Sequence, residues 1–145
     1  MTKTVHDEKR RYTRIIFNQQ NRVQAVVAIP EPQRPVQEIP AAVLNMSEGG
    51  MQISVERELF QTFQTMQQGD TVLLSRITGF REFEDLKELS MRVIWIMDNE
   101  YLEYILLGMA FSSLSGRQRE TLRSFVEKRL ALVKEKDTEE LFVNS

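Results

Sequence analysis

Residues Met51–Val55, reading MQISV, alternate apolar and polar side chains with a period of two. In an extended chain that period puts Met51, Ile53 and Val55 on one face and Gln52 and Ser54 on the other. A half-buried strand satisfies this pattern and a helix does not. The densest apolar patches elsewhere, VVAI from Val26 and VIWIM from Val93, are also of strand length. Neither approaches the roughly 20 residues of a membrane-spanning helix.

Further strands are expected at Arg22–Ile29, Ile39–Leu44, TVLLSRI from Thr71, LSMRVIWIM from Leu89 and YLEYILLGMAF from Tyr101. All four prolines lie between Pro30 and Pro40. They predict an irregular connection, because proline cannot donate to a sheet ladder. From Glu56 to Gln67 the period changes: Leu59, Phe63 and Met66 share one helical face. Gly69 stands where a glycine would end that helix. The charged stretch GFREFEDLKE, from Gly79, reads as a turn or an exposed hairpin tip, and Asp98–Glu100 as another turn.

Ser115 and Gln118 have capping-box spacing. Leu122, Phe125, Val126, Arg129, Leu130 and Val133 then follow a helical period, with charged residues opposite. This predicts an amphipathic helix packed on the body of the protein or on a partner. The whole pattern is mainly β: a small antiparallel barrel with a short inserted helix and a C-terminal helix. The 145 residues suffice for one such domain. Residues 1–14 form a separate polar arm, flexible because it has few apolar groups to bury, and residues 15–145 the barrel with its helix.

Composition removes whole classes of chemistry. There is no cysteine, and His6 is the single histidine. Thiolate metal sites, histidine clusters and a Ser-His-Asp triad with an alternative base are therefore excluded, and an enzyme is not expected. The net charge of −2 argues against a nucleic-acid binder. The N-terminus has no apolar core of a secretion signal, which implies a cytoplasmic location.

Two stretches carry polar chemistry. In EKRRYTR, Arg10 and Arg14 are four residues apart. An extended chain and a helix would each aim both guanidiniums one way. Arginine grips phosphate and the guanine O6/N7 edge bidentately and stacks on bases, although a solvated basic tail has the same composition. In NMSEGG, Asn45 and Ser47 offer an amide and a hydroxyl, and Gly50 allows positive φ or a close approach. Alone, this reads equally as a turn between strands.

Taken together and in this order, the two stretches resemble the PilZ family, bacterial receptors for cyclic di-GMP. Arg10 and Arg14 fill the family's Arg-x-x-x-Arg motif; Asn45, Ser47 and Gly50 fill Asp/Asn-x-Ser-x-x-Gly. LGMAFSSLSGRQRETLRSFVEKR, with Gly108 and Phe111, looks like the family's last strand and C-terminal helix. The resemblance implies a barrel of about six strands whose outer surface binds the ligand under the N-terminal arm. It implies phosphate and guanine contacts from Arg10 and Arg14, guanine hydrogen bonds from Asn45 and Ser47, and room for the ligand at Gly50. Lys9 and Arg11 would add phosphate contacts. Trp95 is either a core residue or an aromatic platform beside the site. No cofactor is implied beyond the ligand cyclic di-GMP. Output would pass to a separate downstream protein when the ligand orders the arm. The alternative is a ligand-independent interaction module, as in family members that lack the arginines.

Overall fold

The computed structural model describes residues 14–18, 22–29, 37–62 and 66–144. Among the described residues there are seven strands: β1 (Ile15–Ile16), β2 (Val23–Ile29), β3 (Gln37–Met46), β4 (Gly50–Glu56), β5 (Thr71–Thr78), β6 (Leu89–Met97) and β7 (Tyr104–Ser113). The described residues also form the α-helices α1 (Arg57–Thr62), after β4, and α2 (Gly116–Asn144), after β7. Six strands close a ring in the order β3-β2-β5-β6-β7-β4, with β4 returning to β3. Every pairing is antiparallel. Closure leaves no open sheet edge around the ring. The short β1 adds to the end of β3 through Ile15–Met46 and Ile16–Asn45.

The alternation in the sequence is the inside–outside alternation of the wall. Met51, Ile53 and Val55 are buried in the barrel with Val23, Val43, Leu74, Met91 and Leu107. Gln52 and Ser54, between them, are only half-buried.

Several expectations need correction. Pro40, the last of the clustered prolines, lies not in an irregular connection but inside β3, within the expected strand Ile39–Leu44 and opposite Val26 of β2. It is tolerated because β4 pairs with β3 only from Ala42 onward, so Pro40 has a ladder partner on one side. The inserted helix is shorter than expected: α1 ends at Thr62, and residues 63–65 fall outside the described segments. Gly69 belongs instead to a tight turn, in which Asp70 N–H donates to the Gln67 carbonyl at 3.0 Å. Its φ of 93° is the left-handed conformation that favours glycine.

Of the two alternatives for GFREFEDLKE, the turn holds and the exposed tip does not. It forms a 3-10 turn, Arg81–Asp85, that buries Phe83, with buried Leu86 just beyond. Phe17, Phe80, Phe83 and Phe125 make a ring cluster with centroids 4.7–6.2 Å apart. The cluster joins the root of the arm, the 3-10 turn and α2. Leu122, Phe125 and Val126 of α2 are buried, and Arg129 lies over the Phe80 ring at 5.0 Å. The helix stripe therefore packs on the barrel. Its capping box is formed: Ser115 N–H donates to the Gln118 side chain at 3.0 Å, and Gln118 N–H to the Ser115 hydroxyl at 3.1 Å. Among the described residues, no helix is long and apolar enough to cross a membrane.

Candidate functional site

Two irregularities in the wall decide which side chains meet on its outer surface. In β3 the register with β4 shifts between Val43 and Asn45. A bulge adds one residue, so the side chain after it changes face. Val43 and Met46 point into the core, and Asn45 turns outward opposite Gln52. The carbonyl of the extra residue, Leu44, accepts from Phe17 N–H at 2.9 Å. The bulge thus also seats the chain just after Arg14.

A second bulge lies in β6 between Val93 and Trp95. The turn holding Gly69 docks on it, with Gly69 N–H donating to the Val93 carbonyl at 2.7 Å and Val93 N–H to the Asp70 carbonyl at 2.9 Å. Met91 and Val93 stay in the core, but the extra residue turns Trp95 to the outer wall. The regular alternation of Met91, Val93, Trp95 and Met97 read from the sequence is broken there. Trp95 is half-buried opposite Gly108. A Cβ on Gly108 would overlap the Trp95 indole, so the glycine makes room for the ring to lie flat on β7.

Following the pairings across the sheet gives one outward-facing row: Ile16, Asn45, Gln52, Gly108 and Trp95. Arg14 reaches onto it from the start of the described chain. Its Nη1 donates to Asn45 Oδ1 at 2.7 Å, across 31 residues of sequence. Asn45 Nδ2 in turn donates to Gln52 Oε1 at 2.8 Å. The two sequence motifs therefore meet through a direct hydrogen bond, and Gln52 extends the chain of polar groups toward the indole. Gln52 was not singled out as a site residue. Locally it is only the polar partner in an alternating strand, and its position beside Asn45 depends on a cross-strand register.

Ser47 is buried, with 4% of its surface exposed. Its hydroxyl accepts from Gly49 N–H at 3.1 Å, and its own N–H donates to the Gly50 carbonyl at 2.9 Å. It builds the tight turn from β3 to β4, and that turn sets Asn45 at its rim. Gly50 is also buried and has no positive φ. A Cβ there would collide with the Met109 carbonyl, so the close approach it permits is to the backbone of β7. Gly49 completes the link, its carbonyl accepting from Phe111 N–H at 2.9 Å. Lys9, Arg10 and Arg11 lie outside the described residues.

The surface so formed combines a guanidinium, two carboxamides and an indole on one rigid face. It can grip an anion, read a base edge and stack a purine. A cleft of about 640 Å³ lies elsewhere on the wall, over Gln24, Ala42 and Ser54, flanked by Arg22 and Arg76. It shares no residue with the row.

Among solved structures, the chain resembles YcgR from Escherichia coli in complex with c-di-GMP, with a TM-score of 0.60 and 15% identity over 90% of this chain and 50% of that one. It resembles the inhibitor of motility MotI/DgrA from Bacillus subtilis, with a TM-score of 0.57 and 20% identity over 84% and 51%. It also resembles the K. pneumonia MrkH–c-di-GMP complex, with a TM-score of 0.65 and 9% identity over 88% and 55%. The chain thus spans about half the length of these proteins, and at such identities the likeness establishes the fold. No curated protein matches it. The family model described as PilZ domain matches residues 8–128. The barrel, its outer-wall row and this match lead to one conclusion: the chain belongs to the PilZ domain family.

Proposed function

We propose that this protein is a receptor for cyclic di-GMP. The observation that carries the reading is the hydrogen bond from Arg14 to Asn45, which joins the arginine motif to the wall motif. Family membership and c-di-GMP complexes among the structural relatives support the choice of ligand.

In this reading Arg14 and Arg10 contact the phosphates and the guanine Hoogsteen edges, as guanidinium forks do well. Asn45, with its neighbour Gln52, hydrogen-bonds a guanine. Ser47 and Gly50 fix the turn and the strand spacing that present Asn45, while the Ser47 hydroxyl proton remains a donor. Trp95 supplies a stacking face. Lys9 and Arg11 add phosphate contacts. Binding draws residues 1–14 over the outer wall, and a separate protein reads the altered surface. The chain works as a switch, not a catalyst, and needs no cofactor beyond the nucleotide.

Trp95 is the only tryptophan and gives the test a direct signal. Titrating cyclic di-GMP should change its emission saturably, and an equal concentration of GTP should not. An emission unchanged by cyclic di-GMP, in protein shown by circular dichroism to be folded, would sink the receptor reading.

A further inference from the structure

Where β4 ends and β7 begins, the wall closes with Glu56 paired to Tyr104. Four residues along β4 separate Glu56 from Gln52 of the row, which at the usual rise is roughly 13 Å. Here Arg57 fastens the loop between β6 and β7. Its guanidinium donates to the Leu102 carbonyl at 2.8 Å, the Asp98 carboxylate at 2.5 Å and the Asn99 carbonyl at 2.5 Å. Its backbone N–H donates to the Glu103 carbonyl at 2.8 Å. Within the loop, Asn99 accepts from Tyr101 N–H through its side chain and from Leu102 N–H through its carbonyl.

This tightly held loop shows apolar groups to solvent. Tyr101 is 87% exposed, Tyr104 48% and Leu102 43%. Aromatic side chains on an already ordered loop lose little entropy on docking, which is the character of binding anchors. They border a cleft of about 530 Å³ whose rim carries Glu56, Glu58, Glu100 and Glu103. Tyrosine rings beside carboxylates match arginine in both its properties, since the guanidinium stacks on the ring and pairs with the acid. The same carboxylates repel phosphate backbones and anionic lipid surfaces. The aromatic centre offers nothing to a bare metal ion.

We propose that the β6–β7 loop is a docking surface for an arginine-bearing, basic segment of a partner protein. The surface lies apart from the nucleotide row and stands whether or not cyclic di-GMP binds. The test therefore contains no nucleotide. The isotope-labelled full chain would be titrated with a heptapeptide of alternating arginine and leucine, and amide shifts followed. Lysine and glutamate counterparts serve as controls. The largest shifts should fall within residues 98–104. Affinity should drop at least tenfold in Tyr101→Ala and in Glu100→Gln/Glu103→Gln, drop severalfold for the lysine peptide, and vanish for the glutamate peptide. Shifts scattered over all acidic surfaces, equal affinity for arginine and lysine peptides, or indifference to Tyr101→Ala would overturn it. So would self-association in sedimentation that Tyr101→Ala abolishes, because the surface would then belong to a second copy of the chain.

Discussion

At Asn45 both ends of one amide are in use, the oxygen by Arg14 and the nitrogen by Gln52. Asn45→Ala removes both links and leaves Arg14 without its wall partner. Its affinity for cyclic di-GMP should fall by about 1–3 kcal/mol, the range for hydrogen bonds involving charged groups. Asn45→Asp keeps an acceptor for Arg14 and should stay within a fewfold of wild type by calorimetry. If the alanine and aspartate variants bind alike, the Arg14 link has no part in binding. Gly108→Ala tests the other end of the row. Its methyl group displaces the indole, so free-protein emission should shift to the red and ligand affinity should drop at least fivefold. Unmoved emission would show that the ring does not rest on that glycine. At this scale the Arg-x-x-x-Arg and Asn-x-Ser-x-x-Gly spacings are legible because they are local. Gln52 is not, because its hydrogen bond to Asn45 depends on the register of the strand beside it.

The elements show where local reading stops. Strand positions follow from alternation, and the capping box from two residues three apart. The bulges at Leu44 and Ile94 are single-residue insertions made relative to a neighbouring strand, so no pattern within one strand marks them. They nonetheless turn Asn45 and Trp95 outward. Pro40 reads both as a strand residue and as a strand breaker for a related reason: proline is excluded by a donor requirement, and that requirement is absent where β4 has not yet joined β3. In GFREFEDLKE the turn is legible but its burial is not, because six charges outnumber the two rings, Phe80 and Phe83, that anchor it against Phe125 of α2. Two stability measurements follow. Phe83→Ala should cost about 3–5 kcal/mol in denaturant unfolding, as for other buried aromatics. Ser115→Ala should cost about 1 kcal/mol through the lost cap. A Phe83→Ala cost below that of the cap would mean the 3-10 turn is not part of the core.

Across the whole molecule, the barrel separates two surfaces. The row from Ile16 to Trp95 crosses β4 at Gln52 and β7 at Gly108, and the loop fastened by Arg57 lies at the Glu56–Tyr104 end of the same two strands. Between them, the Met97–Leu106 pair continues the outer wall next to the Trp95–Gly108 pair. Ligand bound only to the folded barrel must stabilise it by about 2.7 kcal/mol at a hundred times its Kd. Cyclic di-GMP should thus raise the Tm of wild type and leave that of Arg10→Ala/Arg14→Ala unchanged; equal shifts in both would move the site away from the arginines. The central claim is that the arginine motif and the Asn45 wall form one site, and calorimetric titration of cyclic di-GMP into wild type, Arg14→Ala, Asn45→Ala and the double variant tests it most directly. The account predicts saturable binding by wild type, a loss of at least fivefold in each single variant, and a double loss smaller than the sum of the two. No binding by folded wild type, or single variants that bind as wild type does, would contradict it.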